Sequence, residues 1–166
     1  MIDLKEIKNK IFKKENFYCL IIILSIFIID RYSKIEIIKN FADTSFYLND
    51  FLNFNLVWNT GIGFGLLSSN DVFFYNIFTL LILSVISILI YLALKSEFKE
   101  KFIYSIIIGG ALGNLYDRLI FKAVPDCIDI HYHNFHWFTF NIADVFITIG
   151  VLSFLGHGLF IKENNK

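Results

Sequence analysis

The chain has 166 residues, enough for one domain and short for two. Hydrophobic residues make up 56%, charged residues only 18%, and the mean hydropathy is +0.61, which excludes both an ordinary soluble domain and a disordered chain. Fifteen basic and fifteen acidic side chains cancel, so no nucleic-acid partner is expected, and the class that remains is an integral membrane protein.

In chain order, a lysine-rich start precedes an apolar run over about 17–38, long enough for the ~20 residues that cross a bilayer. Asp30, Arg31 and Lys34 interrupt its far end. No small-x-small site follows the run, so an uncleaved helix is expected rather than a removable signal peptide. The segment from Phe46 to Trp58 is aromatic and loosely alternating, which predicts one or two short strands near the lipid headgroups. Asn59-Thr60-Gly61-Ile62-Gly63-Phe64-Gly65 then reads as a turn-rich stretch permitting close backbone approach.

A second apolar run, about 72–94, contains no charge. The third, about 102–121, begins Ile- and Gly-rich and ends with Asn114, Asp117 and Arg118. The fourth, about 142–161, carries a single charge, Asp144. Without water in the hydrocarbon, each span must satisfy its own backbone, so all four are predicted as helices. Ten of the fifteen basic residues precede the first run, separate the second from the third, or follow the fourth. Lysine and arginine mark the cytoplasmic side, so both termini are expected there, with about 39–71 and 122–141 facing outward. Cys19 and Cys127 fall at opposite membrane levels and suggest neither a disulfide nor a metal pair.

Ionisable groups within membrane helices are functional candidates by default. Asp30 and Lys34, Asn114 and Arg118, and Asn141 and Asp144 each share a helix face, and with Asp126 all fall at one predicted membrane level. Two carboxylates in a poorly solvated site do not both ionise easily, so one retains its proton. Such a pair can activate water with one member and protonate with the other. Asn114, Arg118 and Asn141 are candidate donors to a developing oxyanion. The plainer alternative is that Asp144 caps its helix and that Arg118 neutralises Asp117 or Asp126.

Four stretches resemble those of bacterial lipoprotein signal peptidase, or signal peptidase II. They are Asp30-x-x-x-Lys34; Asn59-x-Gly61-x-x-Phe64-Gly65; GGALGNLYDR from Gly109 to Arg118, followed by Val124-x-Asp126; and FNIAD from Phe140 to Asp144. Their order and spacing cover nearly the whole chain. The resemblance implies a fold of four transmembrane helices, otherwise all-α, with a small extracytoplasmic β element and a short interfacial helix, over a single domain 1–166. It implies an aspartic endopeptidase of the bacterial inner membrane, cutting prolipoproteins just before a diacylglyceryl-modified cysteine. Asp126 and Asp144 are the implied catalytic pair. Asn59, Gly65, Asn114, Arg118 and Asn141 are implied to bind substrate, with Asp30 and Lys34 in support. No cofactor and no metal are expected; lipids and the lipidated substrate are the expected partners, and the chain is expected to be a monomer. Departures are Lys122, where a glycine is usual, Pro125, where an aliphatic residue is commoner, and Ile62-Gly63 in place of two alanines.

Rival readings come from other residues. His131, His133 and His136 follow Asp126 and Asp129 closely, and on a strand Asp129, His131 and His133 would share a face suited to zinc. That would make a zinc-dependent membrane hydrolase. A proton-coupled transporter would use Asp30, Arg118 and Asp144 as a relay, although a relay calls for several depths rather than one. Gly109-x-x-x-Gly113 alone would suit a helix-packing scaffold.

Overall fold

The computed structural model describes residues 13–42, 44–61, 72–133 and 135–164. Four helices, α1 (Lys14–Phe41), α2 (Val72–Lys95), α3 (Phe98–Phe121) and α4 (Ile142–Asn164), alternate with four strands, β1 (Phe46–Asn49), β2 (Leu52–Asn59), β3 (Val124–Tyr132) and β4 (Phe135–Phe140). The strands form one antiparallel sheet in the order β1-β2-β3-β4. The β element is therefore larger than the one or two strands expected from Phe46–Trp58, because the second outer segment adds a complete hairpin. No interfacial helix occurs among the described residues.

Helix α3 is the centre of the bundle and packs against each of the other three. Its glycines let backbones meet: a Cβ on Gly110 would lie 2.5 Å from the Ala143 carbonyl oxygen on α4, and one on Gly113 would collide with the Asp30 carboxylate on α1. The small-residue spacing thus serves close helix crossing. Around this centre the exterior is apolar. Phe17, Ile28, Phe73, Leu80, Ile88 and Leu152 are all exposed on the isolated chain, as surfaces facing lipid would be. By length and composition alone, Phe73–Lys95 is the helix among the described residues that is apolar enough to cross a membrane; Ile142–Gly158 is a shorter apolar helix.

The sheet sits over the end of the bundle where α1 and α3 finish, touching α1 through β2 and β3. Pro125 lies in β3 opposite Trp58 of β2, while β4 pairs with β3 only from Ile128 onward. Its missing N–H therefore falls where β3 has a neighbour strand on one side alone, which a proline tolerates. Helix α3 stops at Lys122, whose φ of 58° is left-handed. A glycine reaches that conformation without the ~1–2 kcal/mol clash of a Cβ. Lys122→Gly is expected to raise stability by roughly 0.5–1 kcal/mol, the relief being partly offset by a more flexible unfolded chain. Thermal unfolding in detergent checks this, and an unchanged or lower Tm would contradict it.

Candidate active site

The first turn of α4 organises the site. The Asn141 Oδ1 accepts from the Asp144 backbone N–H at 3.1 Å, and Asp144 Oδ2 accepts from the Asn141 N–H at 3.2 Å. This reciprocal pair is a capping box with Asn141 at the cap and Asp144 three residues on. The cap is therefore Asn141 rather than Asp144 as the plainer alternative had it; Asp144 is its reciprocal partner, and that role coexists with a position in the cleft. One carboxylate oxygen turns back to the helix end, while Oδ1 accepts from Asn114 Nδ2 at 2.8 Å.

Asp126 comes from β3 and is 2% exposed. Its Oδ1 accepts from Asn141 Nδ2 at 2.6 Å and its Oδ2 from Asn59 Nδ2 at 2.9 Å. Both amide orientations are dictated by neighbours. Asn141 Oδ1 is taken by the Asp144 N–H, and Asn59 Oδ1 by the Gly61 N–H at 2.9 Å, so only the NH₂ groups remain for the carboxylate. The sheet register explains the reach of Asn59. Val57 pairs with Asp126, and Asn59, two residues on, points to the same face. Asn141 thus contacts both aspartates, one through its side chain and one through its backbone. Burial, and next the charge of Asp144, push the Asp126 carboxyl up to about 6, against the lowering effect of the Asn59 and Asn141 hydrogen bonds.

Beneath the pair lies a buried ionic cluster. Lys34 and Asp30 are fully buried, and the Lys34 ammonium donates to Asp30 Oδ2 at 2.9 Å, Asn114 Oδ1 at 2.9 Å and Asp117 Oδ2 at 2.7 Å. All three of its protons are used. Arg31 completes the cluster with Nη2 2.7 Å from Asp117 Oδ2. Two cations then face two carboxylates. The other Asp30 oxygen accepts from the Ala143 N–H at 3.0 Å, placing a negative charge at the start of α4. Lys34 holds Asn114 and Asn114 holds Asp144, so the cluster is continuous with the cleft.

The plainer alternative, in which Arg118 neutralises Asp117 or Asp126, is not what the structure shows. Asp117 faces α1 and is claimed by Lys34 and Arg31, whereas Arg118 Nη2 donates to the Gly61 carbonyl at 2.7 Å. The Tyr75 hydroxyl, from α2, donates to the Arg118 carbonyl at 2.8 Å. The sequence reading missed Arg31 and Tyr75. Arg31 was visible as a charge inside an apolar helix, but Tyr75 carried no signal, since tyrosines are ordinary near a membrane interface. Gly65 lies outside the described residues.

Asn59, Asn114, Arg118, Asp126, Asn141 and Asp144 form the polar end of a cavity of about 540 Å³. Its remainder is apolar and runs between α2, α3 and α4 as far as Val151 and Phe154. Asp144 and Phe154 are ten residues apart, roughly 15 Å along the helix. Leu81, Val85, Val151 and Phe154 line this cavity and are also exposed, so it opens sideways onto the apolar exterior.

The histidines arrange themselves differently from expectation. His133 is exposed and left-handed, with φ of 51°, in the turn after β3, and does not share a face with Asp129 and His131 as a ligand. His136, from β4, takes that place. Asp129 and His131 alternate with Asp126 along β3 and point to the opposite side of the sheet, away from the cleft. Cys19 and Cys127 are free and buried, and burial, reinforced by the Asp126 charge, pushes the Cys127 thiol up to about 12.

A helix bundle with an apolar exterior and a buried carboxylate cleft opening sideways onto it defines a membrane enzyme. The model of the signal peptidase (SPase) II family matches residues 22–160, and the chain belongs to that family. It is 46% identical over 161 residues to a lipoprotein signal peptidase of Pelagibacter ubique (strain HTCC1062), covering 95% of this chain and 96% of that one. A lipoprotein signal peptidase of Francisella tularensis subsp. mediasiatica (strain FSC147) is 40% identical over 155 residues, covering 86% and 93%. A solved structure described as a bacterial membrane enzyme, obtained by the in meso method at 2.3 Å resolution, superposes with a TM-score of 0.74 at 31% identity, covering 90% of this chain and 92% of the other.

Proposed function

We propose that this chain is an aspartic endopeptidase that removes the signal peptide from diacylglyceryl-modified prolipoproteins, cutting just before the lipidated cysteine with Asp126 and Asp144. The observation that carries the reading is the placement of two carboxylates, joined through Asn141, at the polar mouth of an apolar cleft open to the lipid-facing exterior. The whole chain acts as one domain of the bacterial inner membrane, with four spanning helices, both termini cytoplasmic and the cleft at the outer face. Family membership and the names of the relatives support the lipoprotein signal peptidase activity.

The chemistry follows from the two carboxyl groups. One, ionised, takes a proton from water as the water oxygen attacks the scissile carbonyl carbon. The other, protonated, hydrogen-bonds the carbonyl oxygen and becomes the source of the proton for the departing amine. Collapse of the tetrahedral oxyanion intermediate breaks the C–N bond as the nitrogen takes that proton, leaving a carboxyl group on the signal peptide, which ionises, and a free amino group on the lipidated cysteine. Asp126, titrating near 6, is poised to change protonation close to neutral pH. Asn59, Asn114 and Asn141 hold the carboxylates, and Arg118 brings a buried positive charge to the cleft wall. The apolar walls accept the signal helix and acyl chains, so binding energy far from the cut positions the carbonyl. The segment containing Gly65 adjoins Gly61 in sequence and is assigned to substrate contact on the resemblance alone.

The test is a mobility-shift assay on purified protein in liposomes. A diacylglyceryl-modified prolipoprotein is expected to be cleaved with or without chelator, and its unlipidated counterpart at least about 100-fold more slowly, as loss of remote binding energy requires. Chelator-abolished cleavage, or equal rates on both substrates, would overturn the proposal.

A further inference from the structure

The sheet carries a second cluster of ligating groups that the peptidase chemistry leaves unused. Asp129 and His131 on β3 and His136 on β4 place one ligand atom each within 4.8 Å of one another. Register makes this possible. His131 pairs directly with His136 across the hairpin, and Asp129 lies two residues from His131 on the same face. The two imidazoles stack with centroids 5.3 Å apart. His136 Nδ1 is 2.7 Å from Asp129 Oδ2, and His131 Nδ1 is 3.9 Å from that oxygen.

A hydrogen-bonded Asp129–His136 pair accounts for only part of this arrangement. His131 is 7% exposed and its Nδ1 is buried with no partner; Asp129 is 1% exposed and its Oδ1 is likewise buried and unpartnered. Asn53, the residue facing Asp129 across β2, also has a buried, unpartnered Oδ1. Buried polar atoms normally find partners, and those without one call for an explanation. A cation held between Asp129 and His131 gives the buried imidazole nitrogen the partner it lacks and neutralises the buried carboxylate.

We propose that Asp129, His131 and His136 bind a divalent transition-metal ion of the zinc type, which ties the β3–β4 hairpin together outside the active site. Imidazole and carboxylate are the donors such an ion takes, at about 2.0–2.2 Å, which puts neighbouring ligand atoms roughly 3.3–3.5 Å apart in a tetrahedron. The separations of 2.7 and 3.9 Å bracket that spacing. Rotation of the largely exposed His136 ring adjusts the shorter one, and its exposed side leaves the fourth position for water. Because Asp129 and His131 face away from Asp126, the ion is structural and takes no part in cleavage.

The experiment uses full-length protein in detergent, without a polyhistidine tag, stripped by chelator and titrated with Co²⁺. One equivalent is expected to bind with the visible absorption of four-coordinate cobalt, be displaced by one equivalent of Zn²⁺, and raise the Tm. His136→Gln, at an exposed position that leaves folding intact, is expected to weaken binding by about 100-fold or more, beyond the roughly 10–100-fold effect of losing an outer partner. Asp129→Asn is expected to do the same. Prolipoprotein cleavage is expected to be equal for stripped, Zn²⁺-loaded and His136→Gln protein. Absence of stoichiometric binding, or wild-type affinity in both variants, would overturn the site. Cleavage that follows metal occupancy would overturn its structural role. The optical readout is independent of cleavage, so failure of the peptidase assay leaves this test intact.

Discussion

Asp126→Asn and Asp144→Asn are each expected to lower the rate of prolipoprotein cleavage by about 10³-fold or more, within the range that a positioned acid or base contributes. Each amide oxygen can keep one of the two hydrogen bonds that the carboxylate accepts, while its NH₂ faces a donor, and neither amide can shuttle the proton. Asp126→Asn carries a second, opposite signature in stability. Its carboxyl titrates near 6 in the folded protein, raised from 3.8 chiefly by burial. The folded state therefore holds that proton more tightly than the unfolded chain does. The resulting stabilisation is complete below pH 4 and is lost as pH rises through 6, in all ~3 kcal/mol. A neutral asparagine has no such dependence. The Tm of Asp126→Asn relative to wild type is thus expected to climb between pH 4 and pH 7.5, while cleavage stays absent throughout. A flat Tm difference would mean that Asp126 is not titrating in a buried site. Cleavage near wild-type rate in both variants would remove the aspartates from the chemistry.

Lys34→Met is expected to cost ~3–5 kcal/mol, the scale for removing one partner of a buried ion pair. The methionine fills similar space but withdraws three hydrogen bonds, leaving Asp30 and Asp117 with Arg31 as their cationic partner. Asn114 loses its anchor as well, so the group that orients Asp144 is freed. Activity is expected to fall with stability, by about 10-fold or more even in the fraction that remains folded, since loosening a positioned group by an ångström is costly. Adding Asp117→Asn to Lys34→Met restores charge balance and is expected to recover part of the stability but not the activity. Denaturation curves for the single and double variants, with cleavage rates beside them, check both statements. Additive losses would show that Lys34 and Asp117 are uncoupled.

Much of the site was legible because its residues recur at helical spacing. Asp30 and Lys34, Asn114 and Arg118, and Asn141 and Asp144 are three or four residues apart, which puts each pair on one face. Spacing of this kind identifies a face and a depth, but says nothing of which other helix that face meets. Asp117 and Arg118 are adjacent and would be natural partners by proximity, yet consecutive helical residues diverge by about 100°. One therefore reaches the α1 cations and the other the Gly61 carbonyl. The histidines show the same limit in a strand. Alternation correctly joined Asp129 to His131, but the chain turns at His133, and cross-strand pairing substitutes His136.

By itself the sequence determined the membrane class, the helical segments, the orientation expectation and the list of polar residues gathered at one end. Those follow from composition and local period, because each apolar segment must satisfy its own backbone. Tertiary structure decided who meets whom. It made Asn141 the link between Asp126 and Asp144, though one comes from a strand and the other from a helix. It also drew Arg31 into the buried cluster and left Arg118 at the cleft wall. The reason is physical: a buried charge is stabilised by partners within a few ångströms, and the partners that Arg31 and Lys34 find on α3 lie 80 or more residues away along the chain. Only the crossing of α1, α3 and α4, set by how closely Gly110 and Gly113 let them approach, brings them together.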